Sequence, residues 1–168
     1  MPWEGILGHD LIAKQFASAE AAGRIAGSYL FIGPEGVGKA TFARALIMAL
    51  ACQYSTDQLE ACRKCVSCVQ ALAGTHPDID IVQKPAERTT IPLEALIGSS
   101  DQKLRAGLCW RLLLRPQLAS RKFAVLLDAD HLSEEAANCL LKTLEEPPPG
   151  AVLILVGTTL ESCLLYTS

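Results

Sequence analysis

A glycine-rich segment at residues 33–41 has the residue types of a phosphate-binding loop. It reads Gly-Pro-Glu-Gly-Val-Gly-Lys-Ala-Thr, so Gly33, Gly38 and Lys39 fit the pattern G-x-x-x-x-G-K-[ST]. In such loops the glycines let backbone amides wrap the phosphates, the lysine reaches the β and γ oxygens, and the final hydroxyl holds Mg²⁺. The hydroxyl position here is Ala40, so the sequence keeps the cradle and the lysine but lacks the magnesium ligand.

Gly36 and Thr41 complete the set of residues in this loop that we predict to contact a nucleotide. Thr41 does not replace the missing hydroxyl, because one step along a helix rotates a side chain by about 100°. The flanks suit the motif, since an apolar strand over 28–32 precedes it and a helix without Gly or Pro over 40–51 follows it. We therefore predict a loop that can hold ATP with hydrolysis absent or very weak.

A second nucleotide-site candidate is Asp128, which follows a strand predicted over residues 123–127. An aspartate at this point orients Mg²⁺ and water, and ATPases of this kind usually follow it with a glutamate that polarises the attacking water. The next residue here is Ala129, and a glutamate placed there is expected to return that carboxylate. Methyl groups at both Ala40 and Ala129 predict a site that keeps its shape without turnover, so we assign no catalytic residue.

Four cysteines follow the spacing C-x9-C-x2-C-x2-C: Cys52, Cys62, Cys65 and Cys68. Four thiolates suit tetrahedral Zn²⁺, and the two-residue spacings let neighbouring sulfurs converge on one ion. Because no position is left open for water, we predict a structural zinc site rather than a catalytic one. Reduced buried cysteines are the main alternative and an iron–sulfur cluster a more distant one. Cys109 and Cys139 are isolated in apolar segments and are interpreted as core residues.

Composition narrows the class of protein. The chain has 168 residues, half of them hydrophobic, which favours one globular domain with a proper core. A net charge of −3 argues against a strongly basic nucleic-acid binder. There is no run of roughly 20 apolar residues and no secretion signal, so we expect a cytoplasmic protein. In a reducing compartment, cysteines are metal ligands or buried thiols rather than disulfides.

The elements that must position these residues alternate along the chain, which predicts an α/β fold with a parallel sheet covered by helices on both faces. Residues 52–78 form a Cys-, Gly- and Pro-containing insertion, and 85–91 a polar loop. Asp10 and Ser133 are candidate helix N-caps. Predicted strands cover residues 28–32, 79–82, 123–127 and 151–156, and predicted helices cover 10–23, 40–51, 93–114 and 133–144.

Residues 133–148 carry the resemblance to a known family. They read Ser-Glu-Glu-Ala-Ala-Asn-Cys-Leu-Leu-Lys-Thr-Leu-Glu-Glu-Pro-Pro, which resembles the A-N-x-L-L-K-x-L-E-E-P-P segment of bacterial clamp-loader AAA+ subunits. The cysteine module and the segment Gly-Thr-His-Pro-Asp at 74–78 are similar to that group too. The resemblance covers residues 6–162. It implies a P-loop AAA+ fold with a small zinc-binding insertion, and a place in the DNA polymerase III holoenzyme in DNA replication.

Within that family, tau/gamma subunits are the ATPase motors and delta-prime subunits are stators with a degenerate ATP site. The two alanines resemble the delta-prime pattern. This resemblance implies tau/gamma and delta subunits as partners, with the sliding clamp and primer-template DNA contacted through the complex. The alternative is an active, tau/gamma-like clamp-loader ATPase or another AAA+ ATPase.

The resemblance also implies expectations about the ends of the chain. We expect residues 1–162 to form an incomplete AAA+ core, without the helical lid and the collar domain through which such subunits assemble. Thr158 or Thr159 matches the sensor-1 region of the family, and its Ser-Arg-Cys motif would lie beyond. Residues 163–168 match the translation of a transposon-end sequencing adapter, and we expect them to be a non-native tail.

Overall fold

The computed structural model describes residues 6, 8–98 and 107–159, and these form an α/β fold. The strands are β1 (Ser28–Ile32), β2 (Ile79–Val82), β3 (Lys122–Leu126) and β4 (Ala151–Gly157). The helices are α1 (Asp10–Ala21), α2 (Lys39–Ala51), α3 (Val66–Ala73), α4 (Glu94–Ile97), α5 (Leu108–Leu112) and α6 (Glu134–Glu145), with a 3₁₀ turn at Ala129–His131.

The four strands form one parallel sheet in the order β1-β4-β3-β2. β3 and β4 are the central strands, and every residue in them is buried. This explains their unbroken apolar runs, because a parallel strand that is covered on both faces has no solvent side. The predicted parallel sheet is confirmed, and the order brings the carboxyl ends of β1, β4 and β3 to one edge.

Helices cover both faces of the sheet, as predicted. On one face, α1 and α2 pack side chains such as Phe16 and Leu46 against alternate residues of β3 and β4, including Val125. On the other face, α4, α5 and α6 pack against the intervening strand residues, among them Leu126 and Leu153. The alternation follows from the pleat, which turns successive side chains to opposite faces.

The mostly helical segment predicted over residues 93–114 contains two short helices in its described parts and a break between them. α4 ends before Gly98 (φ 83°) and α5 begins after Gly107 (φ 90°), and both glycines have backbone angles that favour glycine. A Cβ on Gly107 would lie 2.6 Å from the Gly98 nitrogen and the Leu96 carbonyl carbon. The two backbones therefore touch, and this close approach replaces a helix that the residue pattern alone favoured. Residues 99–106 lie outside the described part.

Helix starts agree with the sequence only in part. Ser133 caps α6 as predicted, since its Oγ accepts a hydrogen bond from the Ala136 amide at 3.1 Å. Asp10 is not an N-cap, because α1 already begins at Asp10 and the capping position is His9, which makes no side-chain capping bond. α3 was not predicted, because it is a short helix inside a segment dominated by its cysteines.

Two predictions concern the ends of the chain. The predicted non-native tail at 163–168 lies outside the described residues, and so do both ends of the predicted 1–162 core. In the part of the chain that the structure describes, none of the helices combines the length and the apolar character needed to cross a bilayer.

Candidate functional site

The glycine-rich segment forms a loop between the end of β1 and the start of α2. Gly36 (φ 79°) and Gly38 (φ 87°) both have left-handed backbones, and Gly38 is the residue that precedes the first turn of α2. Left-handed angles are strained for other residues, so the glycines of the motif are required by the turn itself. The loop thus delivers the N-terminus of α2, where free amides favour an anion.

Lys39 points back into this loop. Its ammonium donates hydrogen bonds to the carbonyl oxygens of Gly33 and Pro34, both at 2.7 Å. The loop carbonyls hold the ammonium inside the loop, so a phosphate would have to compete with them.

A cleft of about 470 Å³ joins the loop to the carboxyl ends of β3 and β4. Five of the six residues predicted to contact a nucleotide line it, and Gly33 is tied to it through Lys39. The structure therefore brings the predicted set together at one edge of the sheet. The lining residues are Glu35, Gly36, Gly38, Lys39, Ala40, Thr41, Gln83, Leu127, Asp128, Asp130, His131, Val156, Gly157 and Thr158.

The two alanines differ in where they lie. Ala40 lines the cleft and also packs against the core beneath α2. Ala129 is fully buried with Leu126, Ala136 and Leu140 on the opposite face of the sheet. The expectation that a glutamate at position 129 would return a catalytic carboxylate is therefore wrong, because the side chain would enter an apolar layer instead.

The turn after Asp128 explains why the Ala129 side chain points into the core. Asp128 has a left-handed backbone (φ 57°, ψ 39°), and the next residues form the 3₁₀ turn. Its Oδ2 accepts a hydrogen bond from the Lys84 amide at 3.2 Å, which holds the end of β3 to the chain after β2. Asp128 thus faces the cleft while its neighbour faces the core.

Asp130 is a cleft residue to which the sequence assigned no role. Its Oδ2 accepts bonds from the Thr158 amide at 2.8 Å and from the Thr158 hydroxyl at 2.9 Å. These contacts fix the end of β4, which the sequence associates with the sensor-1 region. The carboxylate is therefore engaged with the protein rather than directed at a water molecule.

The charges that line the cleft are mostly negative. Glu35, Asp128 and Asp130 face one lysine, Lys39. Since phosphates are anionic, a polyphosphate needs a cation between it and these carboxylates. The arrangement is suited to a Mg²⁺ complex, and Ala40 removes a protein ligand for that ion.

The four predicted metal ligands converge at the end of α2 and the start of α3. Their sulfur atoms all lie within 4.8 Å of one another, and Cys52–Cys65 and Cys62–Cys68 are each 4.0 Å apart. Four sulfurs at 2.3 Å from one ion in a tetrahedron would be about 3.8 Å apart. The cluster could therefore hold a metal ion with little rearrangement.

Backbone amides point at the sulfurs of Cys62 and Cys65 and stabilise their ionised form, whereas burial raises the pKa of Cys52 and of Cys68. Hydrogen bonds from the Lys64 and Cys65 amides lower the pKa of Cys62 to about 6. Burial alone would raise the pKa of Cys65, but bonds from the Gln53 and Cys68 amides outweigh it and lower that pKa. Since thiolates are the metal-binding form, the turns prepare these two ligands before any ion arrives.

A buried polar group, Asp78, lies where the insertion returns to the sheet. Asp78 is fully buried, and its carboxylate accepts bonds from the amides of Gln117, Leu118 and Ala119, each at 2.7 Å. Lys122 lies 3.5 Å away and is also buried. Burial would raise the pKa of Asp78, yet these amide bonds and the ammonium lower it, so the group is ionised.

His76 lies in the segment Gly-Thr-His-Pro-Asp at 74–78 and is buried. It is 6% exposed, and its two ring nitrogens bond to Ser67 and to the backbone of Asp78. Sequence reasoning assigned no role to Ser67, and it used Asp78 only as the last residue of the 74–78 segment. Burial lowers the pKa of His76, which favours the neutral ring.

Comparison with known proteins shows the family to which this chain belongs. Residues 8–167 match the family described as DNA polymerase III, delta subunit. The chain belongs to this clamp-loader family. Among curated relatives, the DNA polymerase III subunit delta' of Pseudomonas aeruginosa is 33% identical over 133 residues, which cover 77% of this chain and 37% of that protein.

Other relatives carry different subunit names. The subunit tau of Bacillus subtilis is 28% identical over 93% of this chain and 25% of its own length. Protein STICHEL-like 1 of Arabidopsis thaliana is 29% identical over 96% of this chain and 14% of its own length. The chain thus spans well under half of the length of these curated relatives, and the similarity does not separate delta' from tau.

A solved structure shares the fold. A DNA polymerase III gamma subunit-related protein of Thermotoga maritima superposes with a TM-score of 0.50 at 18% identity, covering 90% of this chain and 43% of that one. This likeness concerns the fold alone, and agrees with the α/β sheet described above.

Proposed function

We propose that this chain is the core of a delta-prime-type stator subunit of the bacterial DNA polymerase III clamp loader. Its nucleotide site would keep its shape. It would not hydrolyse any ATP that it binds. The observation that carries the proposal is a pair of alanines: Ala40 lines the cleft and provides no hydroxyl for Mg²⁺, and Ala129, buried in the core after Asp128, provides no carboxylate. Each loss alone would impair turnover, because one concerns the coordination of Mg²⁺ and the other the positioning of the attacking water.

The physical argument concerns the charge of the reacting phosphates. Hydrolysis requires a cation on the β and γ oxygens and a group that positions the attacking water. In this cleft Lys39 is opposed by three carboxylates, the hydroxyl ligand is missing, and Asp130 is bonded to Thr158. The site retains the loop and the lysine that bind phosphate, and it lacks the hydroxyl ligand of Mg²⁺ and the carboxylate that polarises the attacking water.

We also propose that Cys52, Cys62, Cys65 and Cys68 bind one structural Zn²⁺. All four donors are thiols, which is the set that structural zinc sites use, and no donor position is left for water. The ion would join the end of α2 to the start of α3 and so hold the insertion on the sheet. Zinc therefore supplies cross-linking here, and no chemistry is assigned to it.

The role of such a subunit is mechanical. A rigid AAA+ core beside the tau/gamma motors would support them while they open the sliding clamp and place it on primer-template DNA, and a delta subunit would be a further partner. Cytoplasmic DNA replication would be its setting. A stator does not need turnover, which agrees with a cleft that is retained in shape and altered in chemistry.

An active tau/gamma-like motor is the competing function. Two observations favour it, namely that Lys39 is retained in its loop and that tau and gamma subunits are among the relatives. A motor depends on this lysine, because it stabilises charge on the transferred phosphoryl group. A stator does not depend on this lysine, so the effect of replacing Lys39 distinguishes a motor from a stator.

The test is a substitution of Lys39 inside a reconstituted clamp loader that contains the full-length protein. With Lys39→Ala, we expect DNA-stimulated ATP turnover by the complex to change by less than about twofold. The matched control is the same lysine-to-alanine change in the motor subunit, which should lower turnover by about 10²-fold or more. A loss of comparable size from Lys39→Ala would overturn the stator assignment in favour of the motor.

A further inference from the structure

The cysteine cluster is connected to the sheet by a buried chain of hydrogen bonds. The Ser67 hydroxyl donates to the Ala51 carbonyl oxygen at 2.7 Å and lies 2.8 Å from Nε2 of His76. Nδ1 of His76 accepts a bond from the Asp78 amide at 3.0 Å. Ser67 and Asp78 are fully buried, so each of these contacts forms away from water.

The direction of each bond can be derived. A serine hydroxyl has one hydrogen, and Ser67 gives it to Ala51. Nε2 of His76 must therefore be the donor to the Ser67 oxygen, and Nδ1 the acceptor from Asp78. His76 is thus the neutral Nε2–H tautomer, and a second proton on Nδ1 would face the Asp78 N–H.

This series of hydrogen bonds lies where it can set the geometry of the metal ligands. Ala51 is the last residue of α2 and is followed directly by Cys52, while Ser67 lies in the first turn of α3 directly before Cys68. One hydroxyl therefore joins the two backbone segments that carry these ligands. His76 then ties that junction to Asp78, whose carboxylate is fixed by three amides at the base of the sheet.

We infer that Ser67 and His76 are positioning residues for the metal centre: they set the separation of Cys52 and Cys68 by linking α2, α3 and the Asp78 backbone. The inference rests on the proposed zinc site. Neither residue would contact the ion. Outer groups of this kind orient metal ligands, and their loss typically weakens metal binding by about 10–100-fold.

The test is the zinc affinity of the full-length protein, measured by competition with a chromophoric chelator. Ser67→Ala is expected to weaken zinc binding by about 10–100-fold. Two controls accompany it. Ser55→Ala removes an exposed hydroxyl in the same insertion, whose hydrogen bond to the Thr56 carbonyl oxygen is weak at 3.5 Å. Leu140→Ala destabilises the core on the other face of the sheet. Both should bind zinc within about threefold of the wild type.

His76 gives a readout that a merely structural role would not produce. Gln can place an N–H near Nε2 and so keep the bond to Ser67, which joins the two ligand-bearing segments, although it gives up the acceptor for the Asp78 amide; Asn is too short to reach Ser67. His76→Gln should therefore retain zinc affinity to within about threefold, and His76→Asn should lose about tenfold or more. The double variant Ser67→Ala, His76→Asn should bind zinc only slightly more weakly than the weaker-binding single variant, because both substitutions break the same series of hydrogen bonds.

Two results would overturn the inference. One is Ser67→Ala protein that binds zinc as tightly as the wild type, and the other is a loss in Leu140→Ala as large as in Ser67→Ala. If Ser67→Ala does not fold, the His76→Gln and His76→Asn variants decide. A ¹⁵N spectrum of the His76 ring is a further test, because the Nδ1–H tautomer would contradict the inference. Wild-type protein without tight zinc would instead refute the proposed metal centre, and this inference with it.

Discussion

Replacing Cys65 with serine should abolish tight zinc binding. Structural zinc contributes roughly 10–16 kcal/mol through four ligands, so one thiolate corresponds to about 10²–10³-fold in affinity. Cys65 is buried with its Sγ 4.0 Å from that of Cys52, and a serine hydroxyl, which stays protonated at neutral pH, is a much weaker ligand for Zn²⁺ than a thiolate. Chelator competition and metal analysis of the full-length protein measure the loss.

The matched control is Cys109→Ser. The Cys109 thiol accepts a hydrogen bond from Thr143 at 3.7 Å, away from the cluster, so this variant should keep its zinc. The effect of Cys65→Ser should be local, with the sheet retaining its cooperative unfolding. A Cys65→Ser protein with one full equivalent of zinc at wild-type affinity would show that the four sulfurs do not form the site.

Replacing Asp78 with asparagine should destabilise the fold strongly. The carboxylate accepts three short amide bonds and neutralises Lys122, so the change leaves a buried ammonium without its counter-charge. Removing one partner of a buried pair typically costs about 3–5 kcal/mol. For a domain of this size that corresponds to a fall in melting temperature of roughly 6–20 °C. Thermal and urea unfolding of the full-length protein measure it.

Asp80→Asn is the control for this substitution. Asp80 lies in β2, two residues after Asp78, and contacts Arg111 at 3.1 Å, but that arginine is 43% exposed. Burial raises the pKa of Asp80 despite the arginine, so a neutral side chain is tolerated there. We expect a change of at most about 1 kcal/mol. Equal losses from the two variants would contradict the assignment of Asp78 as the buried anchor.

The sequence was a good guide wherever one local rule decided the structure. The loop glycines are required by left-handed turns, the central strands are apolar because both of their faces are covered, and Ser133 caps α6 with its own hydroxyl. The spacing of the cysteines likewise forces their convergence. In each case a few neighbouring residues contain the whole physical cause.

The errors arose where distant backbones meet. Gly107 interrupts a helical pattern because it touches Gly98 and Leu96, a contact that no local window contains. The direction of Ala129 depends on the left-handed Asp128 and on the core beneath α6. Asp78 is anchored by amides some 40 residues further along the chain. Such contacts become predictable only when the order of the strands is known.

The central claim is that the cleft keeps the form of an ATP site and does not hydrolyse ATP. Single-turnover hydrolysis tests it most directly, with the full-length protein in excess over radiolabelled ATP and Lys39→Ala as the control for contaminating ATPase. We expect phosphate release no faster than in the control over the time in which a motor subunit completes its turnover. Release at a motor's rate that disappears in Lys39→Ala would contradict the account.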